Sequence, residues 1–487
     1  MDRLIHIRDL KLRYQQNTVF DGLNWIIREG EHWLLSGPSG SGKTSLAKVL
    51  GGLIGSHGAL DIRFDPLSPL PQQVLYVASW YQFKNLEGAA NFYYQQRYTS
   101  LQAKDVISVR GELNNFGAEH SLDPQAAGVL ATELGFSKLM NATLLELSSG
   151  EHKKLQLLKA LWLKPQYLVI DQPYTGLDRE SREKLNRLFN QLAASGTQLI
   201  IISNHAGLPS CINKFAEIRD RHLIETSGIG EIQADHVPVE LSLPEFLQLP
   251  PAYTSDEIVR MANVNISYGD KQVLKNINWK IAAGEKWLLQ GHNGSGKSTL
   301  LSLINGDHPQ SYANDIHLFG RRRGSGESIW DIKQRIGLIS PELHWYFDTS
   351  TTVFSSVASG FFDSIGLYKQ PGYKQSRQVD ALLVFLGLAA ERNAPLGSLP
   401  LGKQRLALLG RTIIKNPELL ILDEPCQGLD DQQTTQFNRL VDALAENGLT
   451  MIYVGHFESA LPSCIQKKLI LEQGEVKLAE DLFERIL

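Results

Sequence analysis

The stretch Gly37-Pro-Ser-Gly-Ser-Gly-Lys43-Thr44 decides the fold of this 487-residue chain, and Gly291-His-Asn-Gly-Ser-Gly-Lys297-Ser298 repeats its pattern 254 residues later. Both match the phosphate-binding loop (P-loop) pattern G-x-x-x-x-G-K-[ST]. Glycines let backbone N–H groups turn inward around phosphates, the lysine reaches the terminal phosphates, and the hydroxyl holds Mg²⁺. Each loop follows an apolar, strand-like run and precedes a helical pattern. The chain is therefore predicted to contain one nucleotide-binding module written twice.

Every residue of the two loops is predicted to contribute to binding ATP. These residues are Gly37, Pro38, Ser39, Gly40, Ser41, Gly42, Lys43 and Thr44 in the first copy, and Gly291, His292, Asn293, Gly294, Ser295, Gly296, Lys297 and Ser298 in the second.

An apolar strand that ends in aspartate follows in each copy, as Leu168-Val-Ile-Asp171 and Leu420-Ile-Leu-Asp423. This is a Walker B arrangement, in which the carboxylate binds the Mg²⁺ that bridges the phosphates. Such a run is a weak signal alone, but its repetition strengthens it. Asp171 and Asp423 are predicted as metal ligands together with the hydroxyls of Thr44 and Ser298.

Between P-loop and Walker B, each copy opens a helical pattern with a short motif, Leu147-Ser-Ser-Gly-Glu151 and Leu399-Pro-Leu-Gly-Lys403. This order of elements resembles the ATP-binding cassette (ABC) ATPases, whose signature is Leu-Ser-Gly-Gly-Gln. Within that superfamily, the tandem layout, the Glu-x-Trp before each P-loop and the stretch around 305–333 resemble the ModF family, also described as a photorepair or molybdate-transport ATP-binding protein.

The resemblance implies an α/β fold: two P-loop nucleotide-binding domains in tandem, each a RecA-like α/β core with a helical subdomain. It also implies that two domains pair head to tail, within one chain or between two chains. Site one would combine the first P-loop and Asp171 with the signature around Pro400. Site two would combine the second P-loop and Asp423 with Ser148 and Gly150 of the first signature.

The two copies differ at the residue after the Walker B aspartate, where the family has a glutamate that orients the attacking water. Glu424 fills this position in the second copy, and Gln172 fills it in the first. An amide cannot accept the proton. At the signature that serves site one, Pro400 lacks a hydroxyl and a backbone N–H. Site one is therefore predicted to bind ATP without turnover, and site two, with Lys297 and Glu424, to hydrolyse it.

Other family positions are matched in both copies. His205 and His456, each after an apolar strand, match the switch histidine that contacts the γ-phosphate; His456 is the catalytic one. Tyr14 and Tyr268, each 23 residues before its P-loop, suit the aromatic residue that stacks on adenine. Trp33 and Trp287 are assigned to core packing.

Composition and charge agree with two cytosolic α/β domains. A net charge of −4 argues against a general polyanion-binding surface, and three cysteines without framework spacing favour a reducing compartment. The N-terminal sequence has no signal-peptide pattern, and no apolar run approaches the roughly 20 residues that span a bilayer. The expected domains are 1–229 and 256–487, joined by an extended, proline-rich linker, 230–255.

Two features concern partners. The glutamine that couples ATP to a partner in this family is missing, because Ser79 and Pro341 stand at its positions; Gln82 and Glu342 are the nearby substitutes. The basic run Arg321-Arg322-Arg323 is interpreted as a solvated loop, with an anion or partner site as the alternative.

Three functions remain open at this stage. The first is the ATPase component of a transport system, for molybdate as the family name implies, acting in the cytoplasm or at the inner face of the membrane with a separate permease. The second is a soluble ABC protein acting on ribosomes or nucleic acid, against which the short linker argues. The third is a regulatory nucleotide sensor with slow hydrolysis. Expected ligands are ATP and Mg²⁺.

Overall fold

A computed structural model of the chain describes residues 3–14, 17–38, 40–78, 107–144, 147, 149–174, 179–203, 207–228, 242–269, 271–292, 294–340, 343, 347–364, 366–427, 429, 431–455 and 461–482. The chain divides into two compact units, Met1–Asp235 and His236–Leu487. Each unit is described by itself.

The first unit alternates strands with helices, as its sequence predicts. Its strands are β1 Leu4–Tyr14, β2 Asn17–Arg28, β3 Trp33–Ser36, β4 His57–Arg63, β5 Val74–Val77, β6 Tyr167–Asp171, β7 Gln198–Ile202, β8 Lys214–Arg219 and β9 His222–Thr226. Its helices are α1 Lys43–Leu50, α2 Val109–Glu119, α3 Pro124–Glu133, α4 Ser149–Leu163 and α5 Arg179–Ala194, with a 3-10 turn at Ser137–Leu139.

The main sheet of this unit has the order β5-β6-β7-β3-β8-β9, with parallel neighbours from β5 to β8 and an antiparallel β9. A second, antiparallel sheet has the order β2-β1-β4. Parallel strands buried on both faces read as continuous apolar runs, which is how β6 and β7 read. Their carboxyl ends collect at one edge, the usual place for ligands in open α/β sheets.

The second unit repeats this plan. Its strands are β10 Glu257–Tyr268, β11 Lys271–Ala282, β12 Lys286–Gln290, β13 Asp315–Leu318, β14 Arg321–Arg322, β15 Ile336–Ile339, β16 Leu419–Asp423, β17 Thr450–Val454, β18 Lys467–Glu472 and β19 Glu475–Asp481. Its helices are α6 Glu245–Gln248, α7 Lys297–Ile304, α8 Ile329–Lys333, α9 Val353–Ala358, α10 Tyr373–Phe385, α11 Leu401–Ile413 and α12 Asp431–Ala445, with 3-10 turns at Pro309–Ala313, Ser359–Phe362, Ala389–Glu391 and Leu396–Ser398.

The strand orders β15-β16-β17-β12-β18-β19 and β11-β10-β13-β14 match those of the first unit. The helices α9 and α10 lie between P-loop and Walker B and pack their apolar faces with α11 in one buried cluster. The predicted fold class is therefore confirmed: each unit is an α/β core with a helical part inserted before the Walker B strand.

Trp33 and Trp287 are core residues, as predicted. Each indole is buried and lies edge-on to a second tryptophan: the ring centroids of Trp33 and Trp25 are 5.3 Å apart, and those of Trp287 and Trp279 are 5.7 Å apart. The structure also explains why the motif Glu-x-Trp contains a glutamate: Glu285 Oε2 accepts a hydrogen bond from Trp287 Nε1 at 2.8 Å.

Part of the stretch that the sequence marks as an extended linker packs against the second unit. Within it, α6 places Leu247 in the buried cluster. Asn416 Nδ2 donates to the carbonyl of Leu249 at 2.9 Å. This end of the stretch is therefore attached to the second unit by side-chain contacts.

The basic run Arg321–Arg323 is not uniformly solvated. Arg321 and Arg322 are exposed in β14, whereas Arg323 is buried. The guanidinium of Arg323 pairs with Glu327 at 2.6 Å and lies over the ring of Tyr312. The solvated-loop interpretation therefore holds for Arg321 and Arg322, whereas Arg323 forms a structural ion pair.

Two further observations concern the cysteines and the helices. The three cysteines form no disulfide. Within the described ranges, no helix combines the length and apolarity that crossing a membrane would require.

Candidate functional site

In both P-loops, the glycine before the lysine adopts a left-handed backbone. Gly42 and Gly296 are the N-cap residues of α1 and α7, each with φ 104°. A Cβ on Gly42 would lie 2.6 Å from the Phe20 ring. The turn leaves the N-terminal N–H groups of each helix free to meet an anion, with the helix dipole in the favourable direction.

The P-loop lysines lie buried over their own loops. Lys43 Nζ donates to the carbonyls of Gly37 and Pro38 at 2.6 and 2.7 Å. Lys297 Nζ donates to Gly291 and His292 at 2.7 and 3.1 Å. The lysine ammonium group therefore has the same position relative to its loop in both units.

The loop serines fit a phosphate ligand. Ser41 Oγ and Ser295 Oγ are buried and have no hydrogen-bond partner among the described residues. Buried hydroxyls are normally satisfied, and a phosphate oxygen placed in the loop would accept from them. With the lysine and the helix N-terminus, these donors suit the β- and γ-phosphates of a nucleotide.

Asp171 lies where a Mg²⁺ ligand is needed. Its Oδ2 accepts hydrogen bonds from Thr44 Oγ1 at 2.7 Å and from the Tyr76 hydroxyl at 3.4 Å. Burial raises the pKa of Asp171, and the Thr44 hydrogen bond and the charges of Lys153 and Lys43 oppose that shift. A hydroxyl and a carboxylate oxygen this close are ligands that one hard cation can share. In the second unit, Asp423 ends β16 in the same way, and Ser298 is the hydroxyl at the start of α7.

The next residue has the same backbone in both units. Gln172 has φ 47° and Glu424 has φ 45°. The backbone N–H of Gln172 donates to the carbonyl of Ile202 at 2.9 Å, and the backbone N–H of Glu424 donates to the carbonyl of Val454 at 3.1 Å. Left-handed non-glycine residues are strained and cluster at functional sites. The two units therefore share the backbone conformation at this position and differ in the side chain that it carries.

The two signature motifs begin long helices, α4 and α11. Pro400 is the N-cap of α11, with no side-chain hydrogen bond to the helix. Serine at this position commonly caps a helix through its hydroxyl. Gly402 is packed against α12, since a Cβ there would meet Gln433 Nε2 at 2.4 Å. Gly150 lies in the first turn of α4.

The second adenine-stacking candidate, Tyr268, is 53% exposed. Its hydroxyl meets His308 Nε2 at 2.8 Å. His308 is buried and its Nδ1 accepts from the amide of Gln310 at 3.2 Å. Burial lowers the pKa of His308, so the neutral ring carries its proton on Nε2 and donates to the tyrosine oxygen. Tyr14 ends β1 at the corresponding place.

Several predicted residues lie outside the described part of the chain. They are Ser39, Ser79, Gln82, Ser148, His205, Asn293, Pro341, Glu342 and His456, together with the Tyr14 side chain. Their roles remain predictions from the sequence.

Two buried cations were missed by the sequence reasoning, although each stands six residues after the signature leucine. Lys153 Nζ donates to the carbonyls of Ala78 at 2.6 Å and Asp171 at 3.2 Å. Arg405 is 0% exposed, and none of its three guanidinium nitrogens has a hydrogen-bond partner in the described ranges. Burial lowers the pKa of Arg405 to about 10, and the charges of Cys426 and Glu424 oppose the shift. Aligning the two copies would have marked the shared position.

These two residues are expected to affect stability in opposite directions. Arg405→Met removes a buried charge that has no hydrogen bond among the described residues, so the free energy of unfolding should rise by about 1–4 kcal/mol. Lys153→Met leaves two carbonyls without their donor, so the free energy of unfolding should fall by about 1–3 kcal/mol. Urea unfolding of each variant against the parent chain measures both changes. Destabilisation by Arg405→Met would contradict the unsatisfied arginine.

Comparison with known proteins agrees with this geometry. The family model "ABC transporter" matches residues 20–175 and 274–427, which include both P-loops and both Walker B strands. The chain is 35% identical over 461 residues to the ABC transporter ATP-binding protein ModF of Escherichia coli, covering 91% of each. It is 27% identical to an uncharacterized ABC transporter ATP-binding protein of Schizosaccharomyces pombe, covering 94% of this chain and 96% of the relative.

Solved structures of single cassettes align with half of the chain. That of cbiO1 from Clostridium perfringens, described as part of the ABC transporter complex cbiONQ, has 26% identity and a TM-score of 0.41, covering 48% of this chain and 91% of its own. With the family pattern matched at both nucleotide loops, and a relative aligned along nine tenths of both chains, this chain belongs to the ABC transporter family as a protein with two ATP-binding cassettes.

Proposed function

We propose that the chain is an ABC ATPase in which site two hydrolyses ATP and site one retains it. The main observation in support of this proposal concerns the residue after each Walker B aspartate. Gln172 and Glu424 share the left-handed backbone and the amide-to-carbonyl hydrogen bond, so the units differ in side-chain chemistry at matched geometry. Only the carboxylate of Glu424 can take a proton from water.

At site two, the residues divide the work. Lys297 and the N-terminus of α7 bind the phosphates and neutralise charge, and Ser298 and Asp423 would hold Mg²⁺. Bound Mg²⁺ supplies further charge neutralisation on the phosphates. Glu424 orients the attacking water, and His456 and the first signature (Ser148 and Gly150) contact the γ-phosphate, as the family pattern implies.

At site one, binding groups are present but the reactive ones are altered. Lys43 lies over its own loop and Thr44 donates to Asp171, which supports binding of nucleotide and metal at this site. Gln172 has a side-chain amide where a carboxylate would accept a proton from water. Pro400, the N-cap residue of α11, has neither a hydroxyl nor a backbone N–H to donate to the γ-phosphate. Retention of ATP without turnover follows from this combination.

Glu424→Gln tests the location of turnover. Removing the proton acceptor should lower steady-state ATP hydrolysis by about 10²–10⁴-fold, the usual effect of a general base, while ATP binding persists. Phosphate release and equilibrium binding of a fluorescent ATP analogue measure the two quantities on one preparation. A variant that keeps most of its turnover would show that the catalytic carboxylate lies elsewhere.

The P-loop lysines separate hydrolysis from retention. Lys297→Ala should eliminate turnover, because the hydrolysing site loses its phosphate cation. Lys43→Ala should mainly shorten the lifetime of bound nucleotide, measured by chase with unlabelled ATP, and should affect the rate only through domain pairing. Complete loss of turnover in both variants, with folding intact, would indicate two coupled catalytic sites.

Rebuilding site one tests whether both of its faces are damaged. In a Glu424→Gln background, Gln172→Glu restores the carboxylate but leaves Pro400 opposite, so it should restore little hydrolysis. Adding Pro400→Ser and Leu401→Gly supplies the missing donor, and such donors contribute roughly 2.7–4 kcal/mol in other enzymes. The triple change should therefore hydrolyse ATP measurably. Full activity from Gln172→Glu alone would disprove the pairing of this signature with the first P-loop.

The transport role is part of the proposal. Relatives along the full length of the chain are named ABC transporter ATP-binding proteins, which supports an ATPase that acts with a separate permease, with molybdate as the substrate class implied by the ModF family. Ser79 and Pro341 in place of the coupling glutamines favour the alternative, a nucleotide-dependent regulator outside transport or an ATPase acting on ribosomes or nucleic acid.

A further inference from the structure

Lys153 lies on the signature helix α4 but bonds to the Walker B strand of its own unit. It is 3% exposed, and Nζ donates to the carbonyl of Asp171, which ends β6, and to Ala78, which follows β5. Its distances of 3.2 and 2.6 Å are those of direct hydrogen bonds. One side chain therefore joins the start of α4 to the carboxyl ends of two parallel strands.

Asp171 is bonded on two sides. Its carboxylate accepts from the P-loop hydroxyl of Thr44 at 2.7 Å, while its carbonyl accepts from Lys153. A continuous chain of bonds thus runs from the first P-loop, through Asp171, to the helix that begins with Ser149 and Gly150. Any ligand that fixes Thr44 and Asp171 also fixes the anchor point of α4.

Burying this lysine is unfavourable unless it is bonded. Burial lowers the pKa of Lys153 to about 7, and the nearby charge of Asp171 opposes the shift. An apolar residue would fill a buried helix position without desolvating a charge. The bonds to Asp171 and Ala78 are the compensation that the structure shows.

The described residues of the second unit show no such connection. Arg405, at the same position of α11, is buried, yet its guanidinium has no hydrogen-bond partner among the described residues. The same place in the fold is occupied by a cation in both units, but within the described part of the chain Lys153 bonds to the Walker B strand and Arg405 does not. The connection is therefore asymmetric, as the two sites are.

We propose that Lys153 is a positioning residue that couples nucleotide binding at site one to the assembly of site two. The inference rests on the proposed pairing, in which the N-terminus of α4 serves the ATP held by the second P-loop. Binding at Thr44 and Asp171 restrains Asp171, Lys153 carries the restraint to α4, and the first signature is held where site two needs it. The site that does not hydrolyse thereby regulates the one that does.

Cooperative ATP binding tests this coupling without hydrolysis. In the full-length Glu424→Gln chain, equilibrium dialysis with ATP and Mg²⁺ should give two ATP per chain and a Hill coefficient above 1, because coupled sites bind cooperatively. Adding Lys153→Met should keep two ATP per chain and reduce the Hill coefficient to 1. Lys153→Arg, which keeps donors and charge, should restore cooperativity.

Arg405→Met is the matched control, since it removes the cation at the same position of the other unit and should leave the Hill coefficient unchanged. If Lys153→Met does not fold, Lys153→Gln, which shortens the side chain and removes its charge, is expected to lose cooperativity in the same way. Unchanged cooperativity in the Lys153 variants, or none in the parent, overturns the coupling while two-site binding stands. Binding of one ATP per chain overturns the two-site function itself and the inference with it.

Discussion

Both nucleotide sites depend on the parallel register of three strands. Ile202 on β7 is the partner of Leu35 in the P-loop strand and of Asp171 in the Walker B strand. Val454 stands in the same relation to Leu289 and Asp423 in the second unit. Because parallel strands end at one edge, this register places loop and carboxylate side by side. A slip of one residue would turn the aspartate to the other face of the sheet.

Duplication kept this frame and let the chemistry on it change. Next to the Walker B strand, Tyr174 donates its hydroxyl to Asn186 Oδ1 at 2.6 Å in the first unit. The second unit has Cys426 at the equivalent position, and the hydroxyl comes instead from Tyr453 on β17, 3.5 Å from both Asn438 Oδ1 and Cys426 Sγ. The equivalent asparagines are thus satisfied from different elements, the turn after β6 in the first unit and the strand β17 in the second.

The proposed division into one retaining and one hydrolysing site has a physical logic. Gln172 and Glu424 both have a left-handed backbone, a conformation that costs free energy in a non-glycine residue. The first unit therefore keeps this conformation without the carboxylate at its end. This agrees with the proposal that the first site binds nucleotide and positions its surroundings, with Lys153 as the residue through which that binding reaches α4.

The sequence by itself determined the fold and the positions of the two P-loops and Walker B strands. Spacing of glycine, lysine and hydroxyl within eight residues specifies a local turn, and the apolar runs before Asp171 and Asp423 specify buried strands; both signals are short in range and repeated. The left-handed backbone of Gln172 and Glu424, the neutral His308 that holds Tyr268, and the ion pair inside Arg321–Arg323 could not be derived this way. The first two depend on residues distant in the chain, and the ion pair, although it joins residues only four apart, depends on the burial of Arg323. Only the tertiary structure decided that Lys153 and Arg405, two charged residues on helices, are buried, and that one is bonded to the Walker B strand while the other is not. Burial and pairing are set by what the other strands and helices place around a side chain, and no local pattern carries that information.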